Sequence, residues 1–161
     1  MSESWESQLT PEAAERLLSG ASPLRELMGV PLAELMDMAT QAHHLWRQGR
    51  RNDAIVIYKG IIALDANAPW GHAGLGLSEL ESGNYTAAEA HLRKAVAADA
   101  NDPSISVNLA ECLIRLDRLA DAIAIMKALL GDPAKASHPG TIRAAAILQG
   151  IFLGMQNDPA A

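Results

Sequence analysis

The feature that most constrains this chain is a pattern that returns every 34 residues. Gly49-Arg-Arg-Asn-Asp-Ala-Ile-Val-Ile-Tyr58, Gly83-Asn-Tyr-Thr-Ala-Ala-Glu-Ala-His-Leu92 and Asp117-Arg-Leu-Ala-Asp-Ala-Ile-Ala-Ile-Met126 align without gaps. The small residues Ala54, Ala88 and Ala122 keep one spacing, the turn formers Gly49, Gly83 and Asp117 keep it too, and so do the large residues Tyr58, Leu92 and Met126. Three coincident series at one period imply one supersecondary unit repeated along the chain. A single such unit cannot bury its own apolar stripe, so its neighbours must cover it.

Each unit reads as a helical hairpin, and the period is that of the tetratricopeptide repeat. In the middle unit Pro69 opens helix A, where its missing N–H costs nothing. Leu75, Gly76 and Leu80 follow at helical spacing, and Gly83 ends the helix in a left-handed cap. Helix B is expected from about Thr86 to Ala98, with Ala88, Leu92, Ala95 and Val96 facing inward. Asp65-Ala66-Asn67 and Asp99-Ala100-Asn101 close successive units. Gly76 and Ala88 are expected to let helices A and B approach closely, and Ala95 to let the next hairpin stack.

The flanks should close the ends. Thr10-Pro11 and Ser22-Pro23 each read as an N-cap followed by a first-turn proline, opening short helices to Leu18 and Met28. A long first helix A is expected over Leu32 to Gln48. After the breaker Ser137-His138-Pro139-Gly140, Thr141 to Met155 should form an amphipathic cap, with residues 1–9 and 157–161 frayed. The expected organisation is an extension over 1–31, three repeats over 32–136 (about 35–68, 69–102 and 103–136), and a capping helix and tail over 137–161. The fold class is all-α, a right-handed α-solenoid.

Composition narrows the partners. The 161 residues carry a formal net charge of −6, which repels phosphate backbones and argues against nucleic acid. One cysteine, Cys112, permits no internal disulfide and suits a reducing compartment. Met1 to Thr10 lacks the basic and apolar stretches of a secretory signal, and no run is long enough to span a membrane. A soluble, cytoplasmic protein with no membrane insertion is expected.

Helix A of each stacked hairpin should line a concave face. By register that face takes Met36, Ala39, His43, Trp46 and Arg47 from the first repeat. It takes Trp70, Ala73, Gly74, Leu77, Leu80 and Glu81 from the second, and Ser104, Val107, Asn108, Glu111, Ile114 and Arg115 from the third. Tryptophans placed there argue for an apolar ligand, the alternative being that Trp46 and Trp70 pack against the protein itself. An extended peptide with two or three apolar anchors suits such a groove, with small Ala73 and Gly74 leaving room for one anchor. The clamp that grips acidic chaperone tails is absent: Ala39, His43, Gly74, Ser104 and Asn108 occupy its positions, and none is lysine or arginine.

Beyond the repeat, the chain resembles the class II chaperones of type III secretion translocators (the LcrH/SycD-like group). The likeness is carried by Leu27 to Ala39 with Leu45-Trp46-Arg47-Gln48-Gly49, by Ile61 to Asp65 with Leu75-Gly76-Leu77, and by Ala110-Glu111-Cys112-Leu113. It covers about residues 22–130. Trp46 departs from the family's usual tyrosine, as does the alanine-rich C-terminal segment from the family's pattern. The resemblance implies a cytoplasmic chaperone that holds an apolar translocator before export. It also leaves two arrangements open for residues 10–29, homodimerisation or folding back on the first repeat.

No constellation points to catalysis, and no cofactor is expected. His43 and His44 point about 100° apart on a helix and cannot readily share a metal, so one groove histidine and one packed histidine are expected. Cys112, among Leu109, Leu113 and Leu116, reads as a buried apolar residue rather than a nucleophile. Arg47, Arg50 and Arg51 read as cations answering a helix dipole. Glu79 and Glu81 do not share a face, and no phosphate loop or nucleophile elbow is present. The competing reading to a chaperone is a scaffold or assembly factor for an envelope or motility complex, acting through its convex face or an end.

Overall fold

The structure, a computed structural model, describes residues 10–157. They form α1 (Pro11–Leu18), α2 (Leu24–Leu27), α3 (Leu32–Arg47), α4 (Arg51–Leu64), α5 (Pro69–Glu81), α6 (Tyr85–Ala98), α7 (Pro103–Arg115), α8 (Leu119–Leu130) and α9 (Pro139–Asn157). A 3-10 turn, Pro133–Lys135, lies between α8 and α9, and there is no strand among the described residues. The expected fraying of residues 1–9 and 158–161 lies outside the described residues, while α9 runs on through Asn157.

The turn between helices A and B shows why the repeat has its sequence. Gly49, Gly83 and Asp117 all adopt left-handed backbone, at φ of 80°, 82° and 57°. A side chain there crowds the following carbonyl, so glycine is favoured, and aspartate is one of the few others that visits the region. The closing turn repeats as well. Asp65 Oδ1 accepts the backbone N–H of Asn67 at 3.0 Å, and Asp99 Oδ1 accepts that of Asn101 at 3.0 Å. Each of these short aspartate turns satisfies a backbone donor in the loop that leads to the next helix A.

The described residues form two compact units that divide between Leu75 and Gly76, inside α5. In the first, α3 packs along α4 and α2 touches α4. Leu35, Ala42, Ala54, Tyr58, Ile61, Ala68 and Leu75 form its core. Arg25 of α2 donates from Nε to Asp65 Oδ2 at 2.9 Å, a half-buried ion pair that ties the N-terminal segment to the end of α4. Thr10 caps α1 as expected, accepting from the Ala13 N–H at 3.2 Å. Ser22 does not cap α2. Its Oγ accepts from Arg16 Nη2 at 2.6 Å, and Pro23 holds the cap position without a side-chain bond.

The second unit is built around α7, which packs against α6, α8 and α9. Its core joins Ala88 and Leu92 of α6, Val107, Leu109, Ala110, Cys112 and Leu113 of α7, Ala122, Met126 and Leu129 of α8, and Ala144 and Leu148 of α9. Two glycines are required by close approach. A Cβ on Gly76 would come within 2.7 Å of Leu92 Cγ, and one on Gly140 within 2.6 Å of the Pro103 carbonyl carbon. The second contact seats the start of α9 on the start of α7. Cys112 is fully buried and its thiol donates to the Tyr85 carbonyl at 3.2 Å. Burial raises its pKa, so it is a structural group rather than a nucleophile.

Candidate functional site

In the first unit, α3 carries Met36, Ala39, His43 and Trp46 at spacings of three and four, which place them on one stripe of the helix. Met36 and His43 are exposed, and Ala39 and Trp46 are half-buried against the core. His44 is exposed as well, so the expected packed histidine is not there. Trp46 lies under the Arg51 guanidinium, 5.1 Å from the ring centroid. This contact and the Arg50 ion pair with Asp53 at 2.7 Å change the reading of the arginine cluster. Only Arg47 sits in a last helical turn, whereas Arg50 and Arg51 stand at the N-terminus of α4, the wrong end for a cation to gain from the dipole. Their side-chain partners account for them instead.

On the first-unit part of α5, Trp70 and Ala73 are half-buried, with Trp70 packed on the core. Gly74 does not leave room for a client. A Cβ there would lie 2.3–2.4 Å from three atoms of the Tyr58 ring, so the protein's own tyrosine fills that space. Burial also holds the Tyr58 hydroxyl above its ordinary pKa of 10.0.

The second unit carries an open cavity of about 480 Å³. Leu77, Leu80 and Glu81 of α5 form one wall, Glu111, Ile114 and Arg115 of α7 another, and Arg143 of α9 the third. Leu77, Leu80 and Ile114 are half-buried, giving an aliphatic lining with charged groups at its margin. Val107 does not reach it: fully buried, it joins the core that includes Ala144 and Leu148 of α9. The sequence register treated that side of α7 as open, but α6, α8 and α9 all pack against this helix and Val107 lies within their shared core.

Arg143 is the residue that sequence reasoning missed. Its Nε donates to Glu111 Oε1 at 2.8 Å, its Nη2 to Glu111 Oε2, and its Nη1 to Asn108 Oδ1 at 3.0 Å. Two of the expected groove residues are therefore held by a fork from the C-terminal helix, and Glu111 is a paired carboxylate. One signal was available. Arg143 is the only charged residue in the nineteen of α9, and a lone charge in such a helix needs a partner. No group of three or more metal-ligand side chains forms among the described residues.

Hairpins of this geometry, repeating at this period, define a class. Two tetratricopeptide-repeat models match residues 40–103 and 79–146, jointly about two thirds of the chain, which is a tetratricopeptide-repeat protein. No curated protein matches it in sequence. Its fold is that of solved type III secretion proteins. A type III secretion complex from Aeromonas hydrophila superposes with a TM-score of 0.71 at 21% identity, covering 90% of this chain and 98% of that one. The Yersinia enterocolitica type III secretion chaperone SycD, in complex with a peptide of the translocator YopD, gives 0.62 at 22% identity, covering 78% and 97%. PcrH, from Pseudomonas aeruginosa, in complex with the chaperone-binding region of PopB gives 0.60 at 23% identity, covering 73% and 97%.

Proposed function

We propose that this protein is a chaperone that holds an extended apolar segment of a secreted, translocator-type client along its A helices. The observation that carries the reading is the second-unit cavity, where the half-buried Leu77, Leu80 and Ile114 leave part of their aliphatic surface open among the described residues. Each leucine or isoleucine anchor buried there contributes about 1.5–3 kcal/mol. A few such anchors give useful affinity while leaving the client releasable. Met36 and His43, exposed on α3, and half-buried Trp46, Trp70 and Ala73 offer further positions along the same class of helix face. The fold shared with chaperones solved in complex with translocator segments supports the same reading. No helix among the described residues is long and apolar enough to cross a membrane. In this account the chain works in the cytoplasm before export, and residues 10–29 are a candidate dimer contact.

The test is co-purification with a co-expressed translocator-type client. Leu77→Glu and Trp70→Glu should each fold, as judged by helical circular dichroism, and lose the client. Retention of the client at wild-type yield by both folded variants would show that it binds elsewhere, as a scaffold acting through its B helices would require.

A further inference from the structure

The cavity that carries the proposed function has an uneven charge inventory, and the inventory says what should flank a bound anchor. Four charged side chains border it: Glu81, Glu111, Arg115 and Arg143. Arg143 is committed. Its fork spans both oxygens of Glu111 and reaches Asn108, so neither Arg143 nor Glu111 has its charge to spare. Glu81 is also engaged by another residue. Arg115 is different: its exposed guanidinium makes no hydrogen bond or ion pair among the described residues. It stands one residue from Ile114 on α7, so a free fork of five donors borders an aliphatic wall.

We infer that the cavity selects an aliphatic side chain flanked in its own segment by a carboxylate, with Leu77, Leu80 and Ile114 taking the aliphatic group and Arg115 taking the acid. The inference rests on the chaperone reading and deepens it by stating the chemistry of the occupant. A basic flank is served less well, since both bordering carboxylates, Glu81 and Glu111, already have partners within the protein. The nearest carboxylate with defined partners, Glu111, is already neutralised by Arg143, and Arg115 repels a second cation. Arg115 also ends α7, where any cation gains from the helix dipole. That role asks only for positive charge at the helix end, and it predicts no discrimination among ligands. Arg143 is a positioning residue here, since by occupying Glu111 it stops that carboxylate from pairing with Arg115 or with a basic ligand.

The experiment uses the full chain and short fluorescein-labelled peptides in a glycine-serine host. Each peptide carries leucine anchors and differs only in whether Glu, Gln or Lys flanks the central leucine. Anisotropy titrations at low salt should show the Glu peptide binding wild type about threefold tighter than the Gln peptide, and the Lys peptide weakest, as expected for one partly exposed ion pair. The preference should shrink at high salt. It should vanish in Arg115→Gln and invert in Arg115→Glu, with both variants retaining wild-type helical content. Equal binding of the three peptides to wild type, with all binding lost in Leu77→Glu, overturns the inference and leaves the chaperone reading standing. A preference for Glu that survives in Arg115→Gln overturns it too, because another group would then be reading the acid. Failure of every peptide to bind wild type would sink the groove reading and this inference together.

Discussion

The Tyr58–Gly74 contact offers a sharp test, because the same substitution should change sign with its background. A methyl group on Gly74 would sit 2.3 Å from Tyr58 Cε1 and 2.4 Å from both Cδ1 and Cζ. Carbon atoms in contact prefer about 3.5–4.0 Å, so three ring atoms must retreat by more than about 1 Å. Tyr58 is only 6% exposed and is packed in the first-unit core, which leaves the ring little space to yield. Overpacking of this kind costs about 1–3 kcal/mol. Replacing glycine by alanine inside a helix returns about 1 kcal/mol. With the contact spread over a rigid ring, the upper part of the overpacking range applies, and Gly74→Ala should destabilise the first unit by about 1–2 kcal/mol. In a Tyr58→Ala background the obstruction is gone and the helix preference remains. There the same change should stabilise by about 1 kcal/mol, a coupling that a double-mutant cycle isolates. Urea unfolding followed by tryptophan fluorescence is the assay, since Trp46 and Trp70 both lie in that unit. A neutral or stabilising Gly74→Ala in the wild-type background, or an equal cost in both backgrounds, would refute the packing argument.

Three further outcomes follow from single residues. Asp117→Gly should stabilise the second unit by about 1 kcal/mol in urea denaturation, because a non-glycine residue at φ 57° is strained, whereas alanine at Gly49 or Gly83 should destabilise. The Tyr58 hydroxyl, raised above 10.0 by burial, stays protonated in the folded chain while the unfolded chain ionises. Its contribution to stability is therefore intact below pH 10 and declines as pH rises toward the folded pKa. Tyr58→Phe should flatten that alkaline decline in stability measured at a series of pH values. Thr141 is 2% exposed and its hydroxyl has no hydrogen-bond partner among the described residues, so Thr141→Val should be neutral or raise the thermal midpoint.

The repeat was legible because its demands are local. A left-handed turn needs glycine or a tolerant substitute, and Gly49, Gly83 and Asp117 supply it at one period. Helix starts at Pro69 and Pro103 follow from the missing proline N–H, and the tight pairing of α5 and α6 follows from Gly76 facing Leu92. What the period could not encode was where the flanking helix lies. α9 seats its start against α7 through Gly140, adds Ala144 and Leu148 to the core in which Val107 is buried, and brings Arg143 onto Asn108 and Glu111. Register assigns a residue to a helix face, and a distant segment decides whether that face stays open. Gly74 failed for a related reason. A small residue looks like a vacancy in sequence, but it marks close approach by something, and here that is Tyr58 from the preceding helix. Ser22 followed by Pro23 had the form of a cap, but the hydroxyl was claimed by Arg16.

The claim that the A helices hold the client is tested most directly by site-specific photocrosslinking. A photoreactive amino acid replaces Leu77, which lines the second-unit cavity, or Val56, which is 68% exposed on a B helix. With a co-expressed translocator-type client, the account predicts a covalent adduct from position 77 and none from position 56. An adduct from position 56 with none from position 77, in folded protein, would contradict it.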